Sequence, residues 1–183
     1  DVKERLDKVL EEVKRDIERN KRRNDKLLKE SKRIVEENKK KNEKSLEEVK
    51  RKADDLRTKV KDEEVKKIIK KVLDEIRESV ERTKELADRI LEENERLVRE
   101  TKKILDEVLK EIRKLIEDVK KDRKKEVVEK VEREIERLRE EVNRVSKKAE
   151  EDVERTNREL NRVSDEAHKT NERLLEKVER DVK

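Results

Sequence analysis

Glycine, proline, cysteine, methionine, tryptophan, tyrosine and phenylalanine are all missing from this 183-residue chain. Without cysteine there are no disulfides, thiolate metal ligands or cysteine nucleophiles, and the redox compartment leaves no trace in the sequence. Without aromatics there are no base-stacking platforms or cation–π cages. An ordinary chain carries glycine at roughly 7% and proline at roughly 5%, and natural domains almost never drop seven residue types together. Apolar runs stop at two residues, as in Leu27-Leu28 and Ile68-Ile69, whereas a membrane span needs about 20 predominantly apolar residues. Nothing reads as a transmembrane helix, signal peptide or transit peptide. A start at Asp1 instead of methionine is expected where a leader or tag has been removed.

Charge is what the chain has in abundance. Lys and Arg number 58 and Asp and Glu 53, so 61% of residues are charged while the net charge is only +5. With 28% hydrophobic residues, disorder is the first alternative to a fold, and only periodicity can defeat it. In the first third, core-type residues fall at steps of 3 or 4 through Val2, Leu6, Val9, Val13, Ile17, Asn20, Asn24 and Leu27, and onward to Leu56 and Val60. The mean step is about 3.6, the turn of an undistorted α-helix. Shifting by about 18 residues, five such turns, maps Val2 onto Asn20, Asn38 and Leu56, and Ile17 onto Val35 and Ala53. A heptad fails at once, because Val2 and Val9 would be followed by Asp16 and Arg23.

The same repeat runs through Val65, Thr83, Thr101 and Val119, and again through Val128, Ser146, Ser164 and Val182. It breaks phase between Val60 and Val65 and between Val119 and Val128. Both breaks fit a chain reversal, with Asp62 and Asp122 placed to cap the next helix and lysines at the preceding C-termini. One continuous helix is the alternative. The expected fold is all-α: a long, nearly untwisted, antiparallel up-down-up three-helix bundle with an 18-residue repeat, its helices near 2–60, 63–120 and 123–182 of a single rod-like domain spanning 1–183. A repeat of 3.5 residues per turn would impose a supercoil, and this one does not. Helices of this length measure about 90 Å.

Reversals at those points put residue i of the first helix level with about 123 − i in the second and i + 122 in the third. Under that rule the polar residues on the apolar stripes collect at common heights. Asn20 and Asn24 meet Thr101, Asn143 and Ser146. Asn38 and Asn42 meet Thr83, Thr156, Asn157, Asn161 and Ser164. Ser45 meets Ser79 and His168, and Ser31 and Asn94 fall near one another between the layers. Such groups can satisfy one another across helices and fix register, while Asn143, Asn161 and Thr170 also suit a boundary facing water.

Chemical signals are sparse. Ser164 and His168 stand i, i+4 with Asp165 beside them, yet a catalytic triad needs a group on the other imidazole nitrogen and an oxyanion pocket. Asp165-x-x-His168 has the spacing of carboxylate-bridged metal bundles, which need two such motifs where the chain has one histidine. The basic runs Lys39-Lys40-Lys41 and Lys120 to Lys125, with acids interspersed, read as solvated surface. The expectation is therefore no catalytic, cofactor-binding or metal residue, no cofactor, and no nucleic-acid, membrane or small-molecule partner. A monomer is expected, with a homo-oligomer or a partner helix as the alternative. The second helix holds 21 apolar residues against 15 and 16 in the others; the excess is expected to lie beneath long Lys and Arg stems, and in the alternative the column Leu73, Leu91 and Leu109 is an exposed strip that pairs with another copy or a partner helix.

The strict repeat in all three helices, the Glu/Lys/Arg-saturated exterior, and polar layers such as Asn38-Asn42 set against Asn157-Asn161-Ser164 resemble the family of computationally designed, parametrically generated helical bundles with built-in hydrogen-bond networks. The resemblance covers the whole chain. It implies a structural scaffold that serves stability, shape or network specificity, not an enzyme.

Overall fold

A computed structural model describes residues 1–182. It has three helices, α1 (Val2–Lys59), α2 (Glu63–Lys121) and α3 (Lys125–Val182), and no strand among the described residues. Nothing interrupts them because Glu, Lys and Arg are good helix formers and the two strongest breakers are absent. No described helix is long and apolar enough to cross a membrane.

The helix ends differ from expectation by a few residues, for a reason visible in the caps. Asp62 caps α2: its carbonyl accepts from Lys66 N–H and its carboxylate from Glu64 N–H. Asp1 does the same for α1 through Arg5 and Lys3. Asp122 does not cap α3. Its carboxylate accepts from Lys124 N–H, and it is the Lys124 carbonyl that takes the first helical bond, from Val128. Asp122 therefore shapes the turn, and α3 begins at Lys125 instead of 123. No described residue has positive φ, so both reversals are made without the left-handed conformation that usually calls for glycine.

The packing divides into two compact units, each containing part of every helix. The first comprises Asp1–Glu30 and Asn94–Glu154. Its core joins Leu6, Val13 and Ile17 of α1 to Leu105, Ile112 and Ile116 of α2 and Ile135, Leu138 and Val142 of α3, nearly all at 2% exposure or less. The second comprises Ser31–Glu93 and the chain from Arg155 onward. One cluster there packs Val49 and Ala53 against Ile69, Leu73, Ile76, Leu175 and Val178, and another packs Val35 against Ala87, Ile90 and Leu160. Burying one Leu, Ile or Val side chain contributes about 1.5–3 kcal/mol.

Every interhelical ion pair described joins α1 to a neighbour. On the α2 side they are Asp7–Lys120, Lys21–Asp106 and Asp25–Lys102 in the first unit, and Lys39–Asp88 and Glu43–Lys84 in the second. Each partner on α2 lies about one turn beyond the level that 123 − i assigns. In antiparallel helices both side chains lean toward their own N-termini and so toward each other, which closes that turn. On the α3 side, Arg139 binds Asp16 at 2.9 Å, and Arg5–Glu132 and Arg23–Glu150 repeat the theme. Lys39, read from sequence as surface, thus belongs to the α1–α2 seam.

The column Leu73, Leu91 and Leu109 is not the exposed strip of the alternative reading. Leu73 is buried, and Leu91 and Leu109 are half-buried: Leu73 joins Val49 and Ala53 of α1 in a core cluster, and Leu91 and Leu109 pack against the clusters that hold Val35 and Val13. The exposed residues are Ile68 at 54% and Ile104 at 38%, on the opposite edge of the stripe.

Candidate functional site

Two arrangements bring polar side chains together: the asparagine layers and a chain of hydrogen bonds centred on His168.

In the first unit, Asn20 Nδ2 donates to Asn143 Oδ1 at 3.4 Å and Asn24 Nδ2 to Ser146 Oγ at 3.3 Å, with Thr101 buried at the same height. In the second, Asn38 Nδ2 donates to Asn161 Oδ1 at 2.9 Å and to the Ile34 carbonyl at 2.8 Å. These offsets of 122 and 123 are those the level rule assigns. Asn143 and Asn161 are exposed while their partners are buried, so they act as boundary residues and as network members together. Thr170 is exposed. Ser31 in the second unit and Asn94 in the first are each buried.

The layers are less complete than expected. Asn24 Oδ1, Asn42 Nδ2 and Asn157 Oδ1 are buried with no hydrogen-bond partner. Thr83 turns back onto its own helix, its hydroxyl donating to the Ser79 carbonyl at 3.0 Å, the local competition open to any threonine in a helix.

The second arrangement gives each imidazole nitrogen of His168 a partner, and neither is Ser164 or Asp165. His168 reaches across to α1, where Ser45 Oγ lies 2.9 Å from Nδ1, and its Nε2 meets Glu172 Oε1, one turn further along α3, also at 2.9 Å. The group on the second nitrogen, which looked missing, is Glu172. The level rule finds Ser45 and His168, and the i, i+4 spacing of His168 and Glu172 was there to be read. A carboxylate can only accept, so in the neutral imidazole it holds the proton on Nε2 and leaves Nδ1 bare to accept the Ser45 hydroxyl. Ser45 is half-buried, and the His168 and Glu172 side chains are 45% and 58% exposed, so the site opens to solvent.

Among the described residues no group of three His, Cys, Asp or Glu side chains is placed to hold a metal. A cavity of about 630 Å³ opens beside the α1–α2 turn, with Leu56, Val60, Val65 and Val182 among charged side chains. Several ion pairs shift the ionisation of at least one member. The hydrogen bond from Lys120 holds the Asp7 carboxyl below its usual range, and the one that Lys39 donates to Asp88 raises Lys39. Arg137 lowers Glu134, and Asp16 raises Arg139. Set beside protein families, curated proteins and solved structures, the chain matches none.

Proposed function

We propose that the chain is a designed structural scaffold, a bundle whose task is to hold its helices in one register. One observation carries this reading: a single 18-residue period governs both the core and the surface. The pairs Asp7–Lys120, Asp25–Lys102 and Glu43–Lys84 climb α1 and descend α2 in steps of that size, as do Lys21–Asp106 and Lys39–Asp88. Val2, Asn20, Asn38 and Leu56 step identically along the stripe. A generating rule produces that coincidence, and the polar layers then break the degeneracy a perfect repeat would leave. Cysteine pairs test it. Asn20→Cys with Asn143→Cys should oxidise rapidly to a disulfide, and Asn20→Cys with Asn161→Cys, one repeat away, should not. Equal yields would show that the register is not held.

A second reading is favoured by the exposure of Ile68 in the second unit and, separately, of Ile104 in the first: α2 receives a second copy or a partner helix at one of these places. Light scattering at rising concentration separates the two. A constant monomer mass retires self-association, and a dimer abolished by Ile68→Lys with Ile104→Lys establishes it.

A further inference from the structure

We propose that Ser45, His168 and Glu172 form a nucleophilic site that is acylated by small activated esters, an activity beyond the scaffold reading. The geometry has the order that serine nucleophiles use, an acid orienting an imidazole that in turn receives the hydroxyl proton. Glu172 Oε1 at 2.9 Å from Nε2 fixes the tautomer, and Nδ1 at 2.9 Å from Ser45 Oγ is the base. The nitrogens exchange the roles they have in the familiar triad, which the chemistry permits because either can be the bare one. Ser45 and His168 come from different helices, so the pairing is a product of the fold and not of local sequence.

The step balances without a further reactant. Ser45 Oγ attacks the ester carbonyl as its proton passes to His168 Nδ1. The tetrahedral intermediate then expels the phenolate, breaking the acyl C–O bond, and the imidazolium returns its proton to the phenolate or to water. Water hydrolyses the acyl-serine by the reverse path. A helix interior commits its backbone N–H groups to its own carbonyls, so the oxyanion is left to solvent, which forfeits the factor of about 10²–10³ that a preorganised donor supplies. This limits the substrates to esters with good leaving groups and makes acylation, not rapid turnover, the observable event.

The probe is p-nitrophenyl acetate at pH 8, read by nitrophenolate release and by peptide mass spectrometry. The expected result is an acetyl group on Ser45 that neutral hydroxylamine removes, as it does an ester but not an acetylated lysine amide. Ser79 is also half-buried and is the internal control, expected to stay unmodified. Ser45→Ala should abolish the labile adduct. His168→Ala should slow its formation by about 10²-fold, the low end of general-base catalysis. Glu172 is a positioning residue, and Glu172→Gln should slow acylation several-fold while the circular dichroism and melting temperature stay unchanged. Acetylation confined to lysines, an unchanged rate in Ser45→Ala, or equal labelling of Ser45 and Ser79 would each overturn the proposal.

Discussion

Asn42 and Asn157 provide a sharp test of the energetics, because each is more than nine-tenths buried and each carries a polar atom with no partner. Leaving such an atom unpaired costs about 1–3 kcal/mol. Leucine branches at the same carbon as asparagine, so Asn42→Leu and Asn157→Leu replace the amide with two methyl groups of similar reach. The swap removes two penalties and adds apolar burial at about 25 cal/mol per Å², against about 1–3 kcal/mol if the larger side chain overfills its site. The double variant should therefore gain about 2–4 kcal/mol, read as a higher guanidinium midpoint at an unchanged slope. Asn38→Leu is the counter-experiment. It gives up the bonds to Asn161 and Ile34 and should gain nothing or lose about 1 kcal/mol. If the Asn42/Asn157 double variant instead lost 1 kcal/mol or more, those atoms would be well partnered, by ordered water for instance, and the reasoning from orphaned groups would fail.

The caps make a paired prediction: Asp62→Ala should cost about 1 kcal/mol, the usual loss of an N-cap, whereas Asp122→Ala, outside the first turn of α3, should cost less than half of that by thermal melting. Asp7 supplies the pH dependence. Its carboxyl is depressed by Lys120, so this pair contributes stability above the ordinary aspartate range and loses it as the pH falls through the folded-state value. NMR titration should show Asp7 titrating below a free aspartate and returning to the ordinary range in Lys120→Gln; an unmoved titration would refute the assignment.

Much of the fold was legible because period and loop position are properties of a line of residues. The steps from Val2 to Val60 define α1, and the phase jump at Asp62 marks the turn. The level rule brings Asn20 to Asn143, Asn38 to Asn161 and Ser45 to His168. What stayed hidden depended on direction around the helix axis. Which edge of the wide α2 stripe lay open turned on the side from which α1 packs: Leu73 is buried, and Ile68 on the other edge is exposed. Level also does not mean bonded. Thr83 and Asn42 share a height, but Thr83 chose its own backbone and Asn42 Nδ2 was left alone. Glu172 lies one turn beyond His168, on the side of the histidine away from Ser164 and Asp165.

The order of signs along the α1–α2 seam has a mechanical consequence. Reading up α1, the paired residues Asp7, Lys21, Asp25, Lys39 and Glu43 alternate in charge. Sliding α1 by one turn in one direction brings Asp25 opposite Asp106 and Glu43 opposite Asp88. Sliding it the other way sets Lys21 against Lys102 and Lys39 against Lys84. Either displacement turns attraction into repulsion once in each unit, a penalty that adds to the register the polar layers already hold. The seam works as a detent with one notch, so four residues inserted at the Val60–Asp62 connection should loop outward and leave the helices where they are.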